Sequence, residues 1–266
     1  MSAIAEVFAR CRKEKRAAFI PYITAGDPHL EATAALLPAL ERGGADLIEV
    51  GIPFSDPMAD GPANQRAATR ALAAGTTLSG IFEVISRSRE EVAAPILLFT
   101  YFNPIHARGV ATFAEQAAAS GVDGILCLDL PPEEARETYL QALRGRGLDT
   151  VFLVSPTSTR QRIKTAAETS SGFLYYVSRT GVTGSQEPLP QELAKEVKAV
   201  RRRVKMPVAV GFGISSPEQV AAVGKIADGV VVGSALVRLV EEHGGDEDLA
   251  QRLEDRVREL RAPLGK

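Results

Sequence analysis

Residues 47–62 read LIEVGIPFSDPMADGP, and this stretch decides how the rest of the chain is read. One glutamate, Glu49, sits inside an apolar run with strand character. A loop punctuated by glycine and proline follows, carrying Ser55, Asp56 and Asp60. Side chains alternate along a strand, so Leu47 and Glu49 share one face while Ile48 and Val50 share the other. A strand covered by helices needs branched apolar residues toward them. Ile48 and Val50 fit that face, which turns Glu49 toward the inside of a closed sheet. A carboxylate buried there costs on the order of several kcal/mol unless it is paired, hydrogen-bonded or protonated. A second carboxylate on the adjoining loop, Asp60, completes the layout of an acid/base pair.

Outward from this stretch, short apolar runs alternate with longer amphipathic ones along the whole chain. Strands are expected at 19–23, 46–50, 96–101, 124–128, 150–154, 173–177, 208–210 and 229–232. Helices are expected at 31–42, 80–92, 110–120, 133–144, 159–168, 191–203, 217–223 and 246–261. Near the start, Ile4, Val7, Phe8 and Cys11 recur at helical spacing and predict one more helix with a single packed face. Eight buried runs alternating with helices imply parallel strands covered on both faces. Together with the length, this predicts one domain over residues 1–266, an eight-stranded α/β (TIM) barrel with an additional N-terminal helix. An open doubly wound sheet has the same local pattern. Against it, the first strand–helix turn, ITAGDP, is not a glycine-rich dinucleotide fingerprint.

With 45% hydrophobic and 24% charged residues, the composition is that of a globular protein. A net charge of -2 gives no electrostatic pull toward nucleic acid or a membrane surface. Cys11 and Cys127 make neither a disulfide framework nor a zinc cluster, which suits a reducing cytoplasm. His29, His106 and His243 lie far apart and read as surface or loop residues, so no metal site is expected. No apolar run is long enough to cross a bilayer, and the basic end of MSAIAEVFARCRKEKR lacks the apolar core of a signal sequence.

Three glycine-containing segments follow the late strands: SRTGVTG (178–184), GFGISSPEQV (211–220) and VVVGSALV (230–237). Glycine lets a backbone approach a ligand closely, and the N–H groups of a helix start attract anions. Loops after strands seven and eight form the usual phosphate site of such barrels. Phe99 and Tyr101 share a face in strand three, as do Phe173, Tyr175 and Val177 in strand six. They line a pocket for a flat apolar group or serve as core packing. Asp56 fits a turn as well as a function, whereas Asp60 is favoured by its nearness to Glu49. Asp27 and Asp129 read as loop braces or helix caps. Arg179 either steers a phosphate or holds a loop. Ser55 has no histidine nearby in sequence, so a serine nucleophile is not expected.

In combination, IEVGIPFSDPMADGP, SRTGVTG, GFGISSPEQV and VGSALV closely resemble the tryptophan synthase alpha subunit family, from PYITAGDP to the last helix. The resemblance implies a lyase that reversibly cleaves indole-3-glycerol phosphate to indole and glyceraldehyde 3-phosphate. It implies Glu49 as the main acid/base catalyst, Asp60 as its partner at the indole N–H, and Tyr175 in the site. Phosphate contacts are implied for Gly184, Gly213, Gly233 and Ser234. The indole pocket is implied to include Tyr22, Phe99, Leu126 and Phe212, with Thr183 on a closing loop. Tyr22 departs from the pattern, since an aromatic without a hydroxyl is common at that position. No cofactor is implied for this chain, because pyridoxal phosphate belongs to the family's beta subunit. That beta subunit is the implied partner, in an alpha2beta2 heterotetramer, with contacts at Pro53, Asp56, Asn103 and Pro104.

Overall fold

The computed structural model describes residues 1–135, 137–177, 192–211 and 213–265. Its strands are β1 (Ala18–Thr24), β2 (Ile48–Gly51), β3 (Ile96–Thr100), β4 (Gly124–Cys127), β5 (Asp149–Val154), β6 (Leu174–Val177), β7 (Val208–Gly211) and β8 (Gly229–Val232). Each pairs in parallel with the next in chain order, and β1 closes the barrel on β8. The closing register, from Ala18 opposite Gly229 to Pro21 opposite Val232, excludes the open sheet. Helices α1 (Ala3–Lys13), α2 (Leu30–Gly43), α3 (Pro62–Ala73), α4 (Leu78–Ser88), α5 (Phe102–Arg108) and α6 (Val110–Ala119) occupy the first half. The second half holds α7 (Thr138–Arg144), α8 (Arg160–Thr169), α9 (Leu193–Arg201), α10 (Pro217–Gly224), α11 (Ser234–His243) and α12 (Leu249–Arg261).

Strand parity divides the apolar residues into two bodies. Phe19, Ile23, Ile48, Val50, Ile96 and Leu98 pack outward with the helices. Ile20, Leu47, Leu97, Leu126, Val151 and Phe173 pack inside the barrel. Helix α1 belongs to the inner body, burying Ile4, Val7, Phe8 and Cys11 there. It lies beside Gly124, Asp149 and Gly229, the first residues of β4, β5 and β8. The helix therefore plugs the N-terminal end of the barrel and leaves the opposite mouth for chemistry. Just past α1, the Arg16 guanidinium donates to both Asp46 oxygens at 2.6 and 2.8 Å, and Asp46 also accepts from the Phe19 N–H at 2.9 Å. That pair ties the plug to the starts of β1 and β2.

Helices α3 and α5 lie where the sequence pattern predicts only loops, whereas α11 is the helix into which VVVGSALV runs. Helix α3 buries nothing larger than alanine, at Ala63, Ala67, Ala68 and Ala71, so its apolar periodicity is faint. The seven-residue α5 starts where Asp129 accepts from the Phe102 N–H at 2.7 Å, a tertiary contact. Helix α7 begins at Thr138 rather than 133, because Pro131 and Pro132 supply no N–H and the following turn closes back on the Pro131 carbonyl. The expected helix start at residue 191 lies outside the described residues. The Phe8 ring is 3% exposed and sits 5.3 Å from the Phe173 ring. Phe8→Ala leaves a void in the plug and is expected to lower stability by about 3–5 kcal/mol, read as a reduced midpoint in urea unfolding.

Candidate active site

Glu49 lies one register step from the barrel mouth, opposite Tyr22 of β1 and Leu97 of β3. It is 1% exposed. Its Oε1 has no hydrogen-bond partner among the described residues. Burial first, and the negative Asp60 second, push its pKa up to about 8. The carboxyl group is therefore protonated at neutral pH and poised to give a proton.

Asp60 stands two residues before α3, on the loop that leaves β2. Its Oδ2 accepts from the Tyr101 hydroxyl at 2.9 Å, and its Oδ1 accepts from Asn64 Nδ2 at 3.3 Å. The Tyr101 oxygen in turn accepts from the Ala59 N–H at 3.0 Å, and its ring lies 5.2 Å from Phe54. One tyrosine thus fastens the whole loop. Burial raises the Asp60 pKa, while the bonds from Tyr101 and Asn64 oppose that rise.

Tyr22, Phe99 and Tyr175 line the same pocket as Glu49, together with Asn64 and Val231. The Tyr22 and Phe99 rings meet edge to face at 5.2 Å. The Tyr22 hydroxyl lies 3.3 Å from that of Thr24. Burial pushes both tyrosines well above the ordinary phenol pKa, so their hydroxyls stay neutral. Glycine ends β2 and β7 for a steric reason. A Cβ on Gly51 meets the Tyr22 oxygen at 2.1 Å, and one on Gly211 meets the Tyr175 oxygen at 2.0 Å.

The far side of the pocket is formed by Gly213, Gly233 and Ser234. The two helix starts after β7 and β8, which look alike in sequence, differ here. Helix α10 caps itself: Ser216 accepts from the Gln219 N–H, and the Gln219 side chain accepts from the Ser215 and Ser216 N–H groups. Helix α11 follows Gly233 with no side-chain cap among the described residues. Its first N–H groups, with the positive end of the helix dipole, are open to an anion. Gly213 borders this end with φ at +85°, a conformation that glycine adopts freely.

Of the remaining expected site residues, Leu126 is buried inside the barrel, paired in register with the pocket-lining Phe99. Thr183, Gly184, Phe212 and Arg179 lie outside the described residues. Pro53 is buried within the chain. Asp56 and Asn103 are exposed and Pro104 is half-buried. Asp27 and Asp129 are braces. Asp27 receives two bonds from Arg70, at 2.8 and 2.7 Å, and Asp129 holds the start of α5. Asn64 escaped the sequence reading. Its signal was the four-residue step from Asp60 across Gly61-Pro62, a helix start that puts the two side chains on one face. Among the described residues, no acidic, histidine or cysteine cluster fits a metal ion, and no helix is long and apolar enough to cross a membrane.

Fold and mouth together define a (β/α)8-barrel enzyme with two carboxyl groups at its mouth, the layout that acid–base chemistry needs. A family model for the tryptophan synthase alpha chain matches residues 8–264. The chain belongs to that family, the lyases that cleave indole-3-glycerol phosphate in tryptophan biosynthesis. The tryptophan synthase alpha chain of Solibacter usitatus is 50% identical over 265 residues, spanning 100% of this chain and 99% of its own. That of Geobacter sulfurreducens is 49% identical and spans 100% of both. Among solved structures, tryptophan synthase subunit alpha from Legionella pneumophila superposes with a TM-score of 0.91 at 36% identity, covering 99% of this chain and 98% of that one. Mycobacterium tuberculosis tryptophan synthase gives 0.90 at 37% identity, with the same coverage.

Two outcomes follow from the local geometry. Gly51→Ala forces Tyr22 from its place and is expected to cost about 1–3 kcal/mol, measured by thermal unfolding. In the folded chain Glu49 keeps its proton up to about pH 8, whereas an unfolded glutamate loses it near about 4.3. Between those values the folded state binds more protons, so this group makes stability fall as pH rises. Glu49→Gln removes that slope. Its melting temperature relative to the unsubstituted protein is expected to climb steadily between pH 5 and 8, which parallel melting series check directly.

Proposed function

We propose that the chain cleaves indole-3-glycerol phosphate reversibly to indole and glyceraldehyde 3-phosphate, with Glu49 and Asp60 as its catalytic pair and no cofactor of its own. The observation that carries this reading is the buried, protonated Glu49 carboxyl with an unpartnered oxygen, facing an aromatic pocket that Asp60 flanks. The bond to be broken joins indole C3 to a carbon bearing a hydroxyl. Glu49 gives its proton to C3, and positive charge develops at N1. The Asp60 carboxylate holds the N1–H and stabilises that charge. The C3–carbon bond then breaks, its electron pair returning to the ring and restoring neutral indole. The hydroxyl becomes the aldehyde carbonyl, and its proton returns to Glu49. One proton enters at C3 and one leaves the hydroxyl, so the glutamate ends as it began.

The flat ring fits between Tyr22, Phe99 and Tyr175, and the phosphate fits the open start of α11 with Gly213, Gly233 and Ser234. Gly184 and Thr183 are assigned to the phosphate and to the closing loop by resemblance alone. An alpha chain implies a beta-subunit partner. We extend the proposal to an alpha2beta2 heterotetramer in the cytoplasm, with pyridoxal phosphate confined to the beta chain. Exposed Asp56 and Asn103, at the mouth loops, support docking there.

The test is indole release from indole-3-glycerol phosphate, followed colorimetrically with and without a beta subunit. Glu49→Gln is expected to lower the rate by about 100-fold to 10,000-fold. Unaltered release by this variant defeats the assignment. Activity needs Glu49 protonated and Asp60 ionised. The kcat/KM profile should therefore fall as pH rises through about 8 and fall at acid pH as Asp60, whose pKa is raised, takes up a proton.

A further inference from the structure

Asn64 stands in the first turn of α3 and lines the pocket beside Glu49, Gly213, Gly233 and Ser234. Its two ends differ. The amide nitrogen donates to Asp60 Oδ1 at 3.3 Å. A carboxylate oxygen accepts only a donor, so the orientation of the amide is determined: nitrogen to Asp60, oxygen away from it. That oxygen is buried and has no hydrogen-bond partner among the described residues. A buried acceptor without a donor is disfavoured, and in a pocket wall it points to a group that arrives with the ligand.

On the reading given above, the substrate brings three donors. The indole N–H goes to Asp60, the stronger acceptor. The hydroxyl on the carbon whose bond breaks faces Glu49. The third is the hydroxyl on the central carbon of the glycerol chain, between the ring and the phosphate. The part of the pocket bounded by Glu49 on one side and Gly233 and Ser234 on the other is where that carbon must lie, and Asn64 borders it.

We propose that Asn64 is a substrate-binding and positioning residue: its Oδ1 accepts the central hydroxyl of the glycerol chain, while its Nδ2 holds the Asp60 carboxylate in place for the indole nitrogen. Ligand recognition and catalytic geometry then meet in one amide. A substrate lacking the central hydroxyl leaves Oδ1 orphaned, so the residue selects for the glycerol side chain over its deoxy analogue. Asp60 faces Tyr101 after β3, Glu49 of β2 and Tyr22 of β1 as well as Asn64. Among these groups, Asn64 and Tyr101 favour its ionised form.

The experiment compares indole release from indole-3-glycerol phosphate and from the analogue lacking only the central hydroxyl, which still carries the hydroxyl needed for cleavage. The unsubstituted enzyme is expected to prefer the natural substrate by about 10-fold in kcat/KM. Asn64→Leu should lose about 10-fold on the natural substrate and show no preference between the two. Asn64→Asp keeps an oxygen for the hydroxyl and should keep the preference. Both variants remove the donor to Asp60, so the acid limb of their kcat/KM profiles should move to higher pH. Activity of Asn64→Leu on the deoxy analogue shows that the variant is folded. An undiminished preference in Asn64→Leu, or an unmoved acid limb in both variants, overturns the proposal. Failure of the unsubstituted enzyme to release indole at all, with or without a beta subunit, overturns the underlying reading instead.

Discussion

One carboxyl group kept out of water governs the arrangement of this molecule. Glu49 lies at the mouth of the barrel, walled by aromatic rings, with an orphan oxygen and a second acid nearby. Every one of these features favours its protonated form. Such a group destabilises the fold at neutral pH, and the surrounding structure has to carry that cost. It does so with two separate apolar bodies and a helix that plugs the far end of the barrel. The stable end and the reactive end are thus opposite ends of the same sheet.

The second acid is handled differently. Asp60 sits on a loop, so its position depends on bonds rather than on strand geometry. Tyr101 and Asn64 grip its two oxygens, and Tyr101 also receives the Ala59 N–H. Behind them, Arg70 of α3 bridges Asp27, after β1, to Glu241 of α11 at 2.7 Å, and Arg66 meets the same glutamate at 2.7 Å. Helix α3, which carries Asn64, is therefore ion-paired to the helix whose start borders the pocket at Gly233 and Ser234. Half-buried Arg70 bridging a buried aspartate contributes more to this than exposed Arg66. Asp60 and the start of α11 are thereby tied together through α3.

Much of this was legible in the chain itself. The alternation Leu47-Ile48-Glu49-Val50 assigned faces, because a strand has no choice but to alternate. The same logic placed Phe99 and Tyr175 inward and set α1 down on its Ile4, Val7, Phe8 and Cys11 face. Helix α3 was not legible, because alanines bury too little area to mark a period. Asn64 went unread with it. Tyr101 was visible as an inward aromatic, but nothing local told that its hydroxyl reaches forty-one residues back to Asp60. Leu126 was assigned to the pocket on resemblance, and the register sets it beside Phe99, which lines that pocket.

The division follows the range of the forces involved. Periodicity, glycine and proline punctuation and the parity of strands are properties of neighbouring residues, so the chain by itself determined a parallel barrel, an N-terminal helix with one packed face and the inward glutamate. Hydrogen bonds between distant loops, the different capping of two similar helix starts and the degree to which water is excluded exist only once the sheet has closed. Only the tertiary structure decided that Asp60 is gripped from two sides, that α10 caps itself while α11 starts without a side-chain cap among the described residues, and that Glu49 holds its proton. Desolvation and long-range pairing are set by what surrounds a group, and for these groups that is chain far away in sequence.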